Sequence, residues 1–452
     1  MLQDIKIGTA LETNGERLIS EPSSNPYASI NNRLGSSDKQ FHDWYRFVLS
    51  FPPHLVRNYL KEFCISPDCI VLDPFCGTGT TIIEAKLNGV KSIGMEANPV
   101  AQFASSTKVY WDIDPIEFWE VSKIIASTAL TVMMSDGIND SVLTSPENIH
   151  LQLRNLNSDL TKLILKDSIS PLPLHKTLVL LEIIERYKTK NYYNHLRLAL
   201  AKAVVFKISN LKFGPEVGVG KKKTDIPVVT TWLNEIKSMS SDLGKSSQNI
   251  NVQSKVFLGD SREIQKFIPK KSVDAVITSP PYPNEKDYTR TTRLESILLG
   301  FISSKEELRK FKKSLIRSNT RGVYKEDDDF RWVENNIEIK HIAEAIERRR
   351  IELEKTSGFE RLYARVTTLY FGGMAKHLKE LQAVLKPGAR LAYVVGDQAS
   401  YLRVMIRTGK ILGDIAQSLG YRLDRIDLFR TRFATATGEQ LREEVVVLTW
   451  PG

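Results

Sequence analysis

The chain has 452 residues, 42% hydrophobic and 26% charged, the balance of a globular protein long enough for one elaborated domain or two to three ordinary ones. With no run of 18 apolar residues and no basic stretch followed by an apolar one near the start, neither a membrane span nor a secretion signal is expected, and the expected location is cytoplasmic. Three cysteines between Cys64 and Cys76 give no disulfide framework and no zinc site, and a net charge of +10 favours a polyanionic partner.

Residues 1–40 are polar and rich in Asn, Ser and Gly, the composition of a loosely ordered N-terminal arm. In FHDWYRFVLSFPPHLVRNYLKEF, Pro52 and Pro53 open a helix in which Leu55, Val56, Tyr59, Leu60 and Phe63 recur at helical spacing. CIVLDPF then reads as a short buried strand, CGTGT as a glycine turn, TIIEAKLNG as a helix closed by Gly89, and VKSIGMEANP as a second strand. Residues 101–250 read as a large, mostly helical insertion with a glycine-rich loop, FGPEVGVGKKK, near its end. Between Arg186 and Lys223 ten Lys or Arg stand against one acid, Glu216, with Tyr192, Tyr193, Phe206 and Phe213 interleaved, a pattern suited to nucleic acid. Strands SKVFLGD and VDAVITSPPY follow. Residues 303–357 hold 14 basic and 12 acidic residues and read as a smaller insertion with a solvated helical face. A helix ending LQAVLKPG, the strand RLAYVVGDQ, a helix ending SLG and the strand pair YRLDRIDLFR and EEVVVLTW complete the chain. Seven strands thus alternate with helices until the last two, which pair directly. This predicts a doubly wound α/β sheet with a terminal β-hairpin, built from 41–100 and 251–452.

Four strand ends carry chemistry. Asp73, Glu96 and Asp260 place acids on the edge where such sheets bind ligands. Gly77 and Gly79 permit positive φ and close approach of a ligand, but no Gly-Lys-Ser/Thr follows, and Ile82 takes the third position of a GxGxxG pattern. Glu96 stands 17 residues after Gly79, close to the spacing at which an acid meets ribose hydroxyls, and Asp260 is placed to reach an adenine amine. The fourth tip is TSPPY. Its two prolines end the strand and fix the Pro280 carbonyl, while the Ser279 hydroxyl is a second acceptor. An exocyclic amine on a base is a weak nucleophile, and acceptors for its hydrogens stabilise the charge that builds on nitrogen. Tyr282 offers a face on which an extruded base can stack.

VLDPFCGTGTTIIEA, GMEANP, LGDSR and TSPPY together resemble the S-adenosylmethionine-dependent amino-methyltransferases of DNA, over roughly 41 to 100, 255 to 302 and 358 to 450. The resemblance implies a Rossmann-like seven-stranded methyltransferase sheet with S-adenosylmethionine as cofactor and no metal. It puts Asp73 on the cofactor's amino group and Phe75, Gly77, Thr78 and Gly79 around its methionine part. Glu96 would take the ribose and Asp260 the adenine, with FPPHLVR as the extra helix packed beside the methionine end. Ser279, Pro280, Pro281 and Tyr282 become the catalytic tip. In that family the first letter of this motif is usually Ser in cytosine-N4 enzymes and Asp in adenine-N6 enzymes, so Ser279 points to cytosine N4. Adenine N6 is the alternative, followed by RNA guanine N2 and an inactive nucleic-acid-binding fold. Cytosine-C5 methylation needs a thiolate from a Pro-Cys pair, which is absent. The glycine turn precedes SPPY, a circular permutation of the usual cytosine-N4 layout. The implied partner is double-stranded DNA with its target base flipped, with a cognate restriction endonuclease acting separately. The 101–250 insertion is the candidate for target recognition, with Lys221, Lys222 and Lys223 on phosphates. Arg430 and Arg432, in RTRFATATGEQ, are candidates beside the flipped base.

Overall fold

The computed structural model describes residues 34–47, 50–141, 152–214, 216–245, 247–284, 287–434 and 438–452. Most of the expected N-terminal arm, through residue 33, lies outside the described residues, as do 435–437 of the RTRFATATGEQ loop.

Local signals set the first elements. Pro53 opens helix α1, Pro53–Glu62, and the helix buries Leu55, Val56, Tyr59 and Leu60. Strand β1, Ile70–Asp73, leads through the glycine turn into α2, Thr80–Leu87, and strand β2, Lys91–Glu96, into α3, Pro99–Lys108. Asn98 caps α3, its side-chain oxygen accepting from the amides of Val100 and Ala101 at 3.1 and 3.5 Å.

The main sheet adds β5, Ser254–Leu258, β6, Val273–Thr278, β7, Leu385–Gly396, β8, Arg422–Ala434, and β9, Glu439–Thr449. Its order is β5-β2-β1-β6-β7-β9-β8. The first five of these are parallel, as helical crossovers require, and β9 runs antiparallel between β7 and β8, only four residues separating it from β8 in sequence. From β1 the chain works outward to β2 and β5, then returns to β6 on the other side of β1. That reversal opens a crevice beyond the carboxyl ends of β1 and β6, where open α/β sheets take their ligands.

Both faces are covered. Helices Tyr363–Leu381 and Thr408–Ser418 bury Tyr370, Leu378 and Ile411 against Leu72, Val276 and Leu391. On the other face α1 and α2 bury Val56, Leu60 and Ala85 against Val71, Ala275 and Ile277. The central strands are apolar on both sides for this reason. One boundary differs from the sequence reading. Lys386-Pro387-Gly388 belongs to β7, not to a helix end, because the Gly388 amide donates to the Trp450 carbonyl at 2.7 Å and the β6–β7 pairing skips between Val273 and Ala275.

Within 101–250, helices Pro115–Ser135, Pro171–Glu185, Tyr193–Ala203 and Val228–Gly244 pack around Phe118, Leu180, Leu196 and Trp232. The same core takes in Ile82 of α2 and Val100 and Phe103 of α3, so the insertion and the sheet share one apolar interior. The glycine-rich loop folds back as a small antiparallel hairpin, β3, Leu211–Phe213, and β4, Val217–Val219, which a helical reading does not anticipate. Among the described residues no helix is long and apolar enough to cross a membrane.

Candidate active site

The turn after β1 is held by the acid at the end of β2. Gly77 and Gly79 take φ of 50° and 93°, values that side chains strain to adopt. A Cβ on Gly79 would stand 3.0 Å from the Cβ of Ser105, so this glycine also lets α2 start against α3. Glu96 accepts from the amide of Gly77 through one oxygen and from the amide of Asn98 through the other, each at 2.8 Å. Burial pushes its carboxyl up to about 7 against the pull of these amides.

Asp73 is fully buried. Its Oδ1 receives the Thr278 hydroxyl at 2.6 Å and the Phe75 amide at 3.1 Å, and burial lifts the carboxyl to about 6. Its Oδ2 is buried without a hydrogen-bond partner among the described residues. A buried carboxylate oxygen left without a donor is costly, and an ammonium group is the ligand chemistry that fits it. The methionine end of S-adenosylmethionine carries such a group, and the fit is one of chemistry: Asp73 and Gly79 do not themselves line the cavity described below, whereas Pro74, Phe75, Gly77 and Thr78 beside them do.

At the end of β6, next to β1, the Ser279 hydroxyl donates to the Val394 carbonyl on β7 at 3.2 Å. With its hydrogen committed there, the Ser279 oxygen keeps its lone pairs for another donor. One cavity of about 370 Å³ joins this tip to the glycine turn. Phe75, Gly77, Thr78 and Glu96 line one part of it, and Ser279, Pro280, Pro281 and Tyr282 another. That size falls within the ordinary range of small-molecule sites.

The remaining expected residues fall into three groups. Arg430 and Arg432 line the same cavity as Tyr282, and both pair with Glu443, at 2.5 and 3.1 Å. Asp260 lies two residues past the end of β5 and is turned toward Arg262, whose Nε and Nη2 meet both of its oxygens at 2.6 to 3.1 Å. Its neighbours Gly259 and Ser261, not Asp260 itself, line the cavity. Lys222 and Lys223 have internal work: Lys222 pairs with Asp167 at 3.1 Å, and the Lys223 ammonium donates to the carbonyls of Lys207 and Ser209 at 2.6 and 2.7 Å. Lys221 is exposed.

Three contributors carried no signal in the sequence reading. Phe47, Ser50 and Phe51, just before α1, line the cavity. So do Lys312, Leu315, Arg317 and Asn319 of the charged 303–357 segment. His377, buried and held down to about 4 by that burial, lies between the Ser261 carbonyl at 3.1 Å and the Tyr393 hydroxyl at 2.7 Å. Its ring meets Phe75 edge-on at 4.8 Å, which ties the glycine turn to the loop after β5.

Comparison with known proteins adds independent information. The model of the N6/N4 methyltransferase family, described as DNA methylase, matches residues 16–104. The Type II methyltransferase M.BsoBI of Geobacillus stearothermophilus is 25% identical over 431 residues, covering 88% of this chain and 82% of the relative. The Type II methyltransferase M.AvaI of Nostoc sp. is 24% identical, covering 86% and 81%. Among solved structures, TrmN from Thermus thermophilus superposes with a TM-score of 0.31 at 10% identity, over 91% of this chain and 52% of that one. The fold assignment rests on the strand order, not on that superposition.

Proposed function

We propose that the chain is an amino-methyltransferase of the N6/N4 family and that it methylates the exocyclic N4 of cytosine in double-stranded DNA. S-adenosylmethionine is the methyl donor in this reading. The protein serves as the modification enzyme of a Type II restriction system, acting in the cytoplasm apart from a cognate endonuclease. The observation that carries the proposal is the Ser279 hydroxyl, whose hydrogen is spent on Val394 while its oxygen stays available in a cavity shared with the glycine turn.

S-adenosylmethionine supplies, when bound, an electrophilic methyl group on a sulfonium centre. Asp73 would hold its ammonium group, Glu96 its ribose hydroxyls, and Phe75, Gly77, Thr78 and Gly79 would border its methionine part. The Ser279 oxygen and the Pro280 carbonyl would accept the hydrogens of the base amine and stabilise charge on nitrogen as the N–CH3 bond forms and the S–CH3 bond breaks; the leaving group is a neutral thioether, and the amine gives up one hydrogen as a proton to water. Pro280 and Pro281 hold that carbonyl still and add no competing N–H. Tyr282 stacks on the extruded base, and Arg430 and Arg432 stand at the same end of the cavity.

The test is incubation with labelled S-adenosylmethionine and duplex DNA, then digestion and mass spectrometry of the nucleosides. N4-methylcytosine is the expected product. N6-methyladenine would transfer the same machinery to adenine, and label in neither nucleoside overturns the proposal.

A further inference from the structure

Taken whole, residues 303–357 are nearly neutral, but their charges are sorted along the chain. Lys305 to Lys325 holds eight basic and two acidic residues, whereas 326 to 357 holds six basic and ten acidic. The basic part is a helix, Lys305–Ser314, running into an extended strap. Ser304 caps the helix, and Glu307 reaches back to the Ser303 amide at 2.7 Å. Phe311 fixes the helix by burying itself with Leu163, Ile297 and Ile302. Arg309, Lys310 and Lys313, at i, i+1 and i+4, therefore share an exposed arc.

The helix delivers its C-terminal end to the active-site cavity. Lys312, Arg317 and Asn319 line it together with Ser279 and Tyr282. Tyr324 follows two residues after Gly322, itself on the cavity wall, and is ringed by cations. Arg309, Lys313 and Arg317 lie 5.4, 5.5 and 5.6 Å from its ring centroid. Arg317 is held by both oxygens of Asp327 at 2.8 Å, but Arg309 meets only the exposed Glu326 at 3.6 Å. Cations grouped around an aromatic ring, two residues from the cavity wall at Gly322 and joined to that wall through Arg317, match the chemistry of a phosphate backbone next to a displaced nucleotide.

We infer that Lys305–Lys325 is a DNA-docking strap, which holds the duplex backbone beside the extruded base through Arg309, Lys310 and Lys313. This rests on the reading of the protein as a DNA methyltransferase. It moves the phosphate contacts from the Lys221–Lys223 loop, where Lys223 is spent on backbone carbonyls and Lys222 forms a surface pair with Asp167, to a segment whose averaged charge concealed it.

The experiment compares the full chain with Arg309→Gln/Lys310→Gln/Lys313→Gln and with Lys61→Gln/Lys91→Gln/Lys270→Gln, which removes equal charge at the opposite edge of the sheet. Binding of a short labelled duplex is followed by anisotropy across a salt titration, and S-adenosylmethionine affinity by calorimetry. Each phosphate contact contributes about 0.9 to the slope of log K against log salt, so the strap variant loses roughly two to three units of slope and the control less than one. Cofactor affinity is the same in all three. A strap variant with the parent's slope and affinity, while the parent methylates DNA, overturns the inference and leaves the proposed function standing. A parent that neither binds nor methylates duplex DNA overturns both. Should the triple variant fail to fold, the single replacements Lys310→Glu and Lys313→Glu give the same comparison.

Discussion

The ring of Tyr282 packs so closely over Gly396 that a Cβ on the glycine would stand 2.8 Å from Cε2 and 3.0 Å from Cδ2 of the tyrosine. Gly396 lies opposite Glu443 on β9, and Glu443 lies opposite Arg430 on β8. One cross-strand row thus seats the Tyr282 ring and anchors the two arginines of the cavity. Gly396→Ala should push the ring out of place with no backbone strain, since Gly396 is not among the residues with positive φ. The expected result is a fall in kcat of about tenfold or more with S-adenosylmethionine affinity unchanged, because misplacement of about 1 Å near a reacting group can cost about 10²-fold. Steady-state kinetics beside calorimetric cofactor binding checks this, and a variant with full kcat would remove Gly396 from the positioning of Tyr282.

Ser279→Ala tests the acceptor at the strand tip. Loss of one preorganised polar group aimed at developing charge costs about 10²–10³ in kcat, and this loss is expected with little change in cofactor affinity. Ser279→Ala with Tyr282→Ala should abolish transfer of labelled methyl to DNA. Transfer that persists in the double variant would place the amine-holding groups elsewhere in the cavity.

In the proposed cofactor site, Asp73 and Glu96 should make cofactor binding depend on pH. Burial raises the first to about 6 and the second to about 7 in the free protein. A carboxyl raised in this way favours folding while protonated, so its contribution is complete below about pH 4 and gone once pH has risen through about 7. His377 and His195, both held near 4 by burial, act in the opposite sense, with stability present above about pH 6.5 and lost as pH falls toward 4. The cofactor-dependent difference isolates the acids. An ammonium group beside Asp73 requires the carboxylate, so affinity for S-adenosylmethionine should fall up to tenfold per pH unit below about 6 and level off above 7. Asp73→Asn should bind weakly and keep only the shallower pH dependence that Glu96 contributes. Thermal shifts of parent and variant measured from pH 5 to 8 decide it: equal slopes in the two proteins would detach the ammonium site from Asp73.

The parts of the fold that were legible in the sequence are those with local causes. Seven strands and their terminal hairpin follow from apolar runs and turn residues, and Pro53 marks a helix start by its fixed φ, whereas Pro99, read as the end of a strand, opens a helix. Gly77 and Gly79 stood out because their backbone conformation selects glycine, and SPPY because two prolines end a strand. What stayed hidden depends on partners far away in sequence. Asp260 carries the expected acid, but Arg262 claims it. Lys222 and Lys223 look free in a lysine run until Asp167 and the carbonyls of Lys207 and Ser209 are brought beside them. Gly396 has no unusual φ to mark it, only a ring placed against it by another strand. The strap was masked by averaging, since the acids that cancel its charge follow it in sequence and do not line the cavity.

Arg262 joins the loop after β5 to that strap. Its guanidinium pairs with Asp260, with Asp329 of the same charged segment, and with the carbonyl of Lys313 at 3.1 Å. Arg262 and Asp329 are both buried, and breaking a buried pair by removing one member costs about 3–5 kcal/mol because the other charge is left without a partner. Arg262→Ala should therefore lower the unfolding temperature and expose the lysines and arginines between Lys312 and Lys325 to trypsin. Arg262→Lys should recover little, since a single ammonium cannot reproduce a planar fork shared by two carboxylates and a carbonyl. Adding Asp329→Leu to Arg262→Met should restore much of the stability, because the buried charge opposite is gone, yet leave the strap sensitive to trypsin, because the contact to the Lys313 carbonyl is still missing. Differential scanning calorimetry with limited proteolysis separates these effects. An Arg262→Ala protein with the parent's unfolding temperature and cleavage pattern would show that the strap is held over the cavity by Phe311 and its apolar neighbours alone.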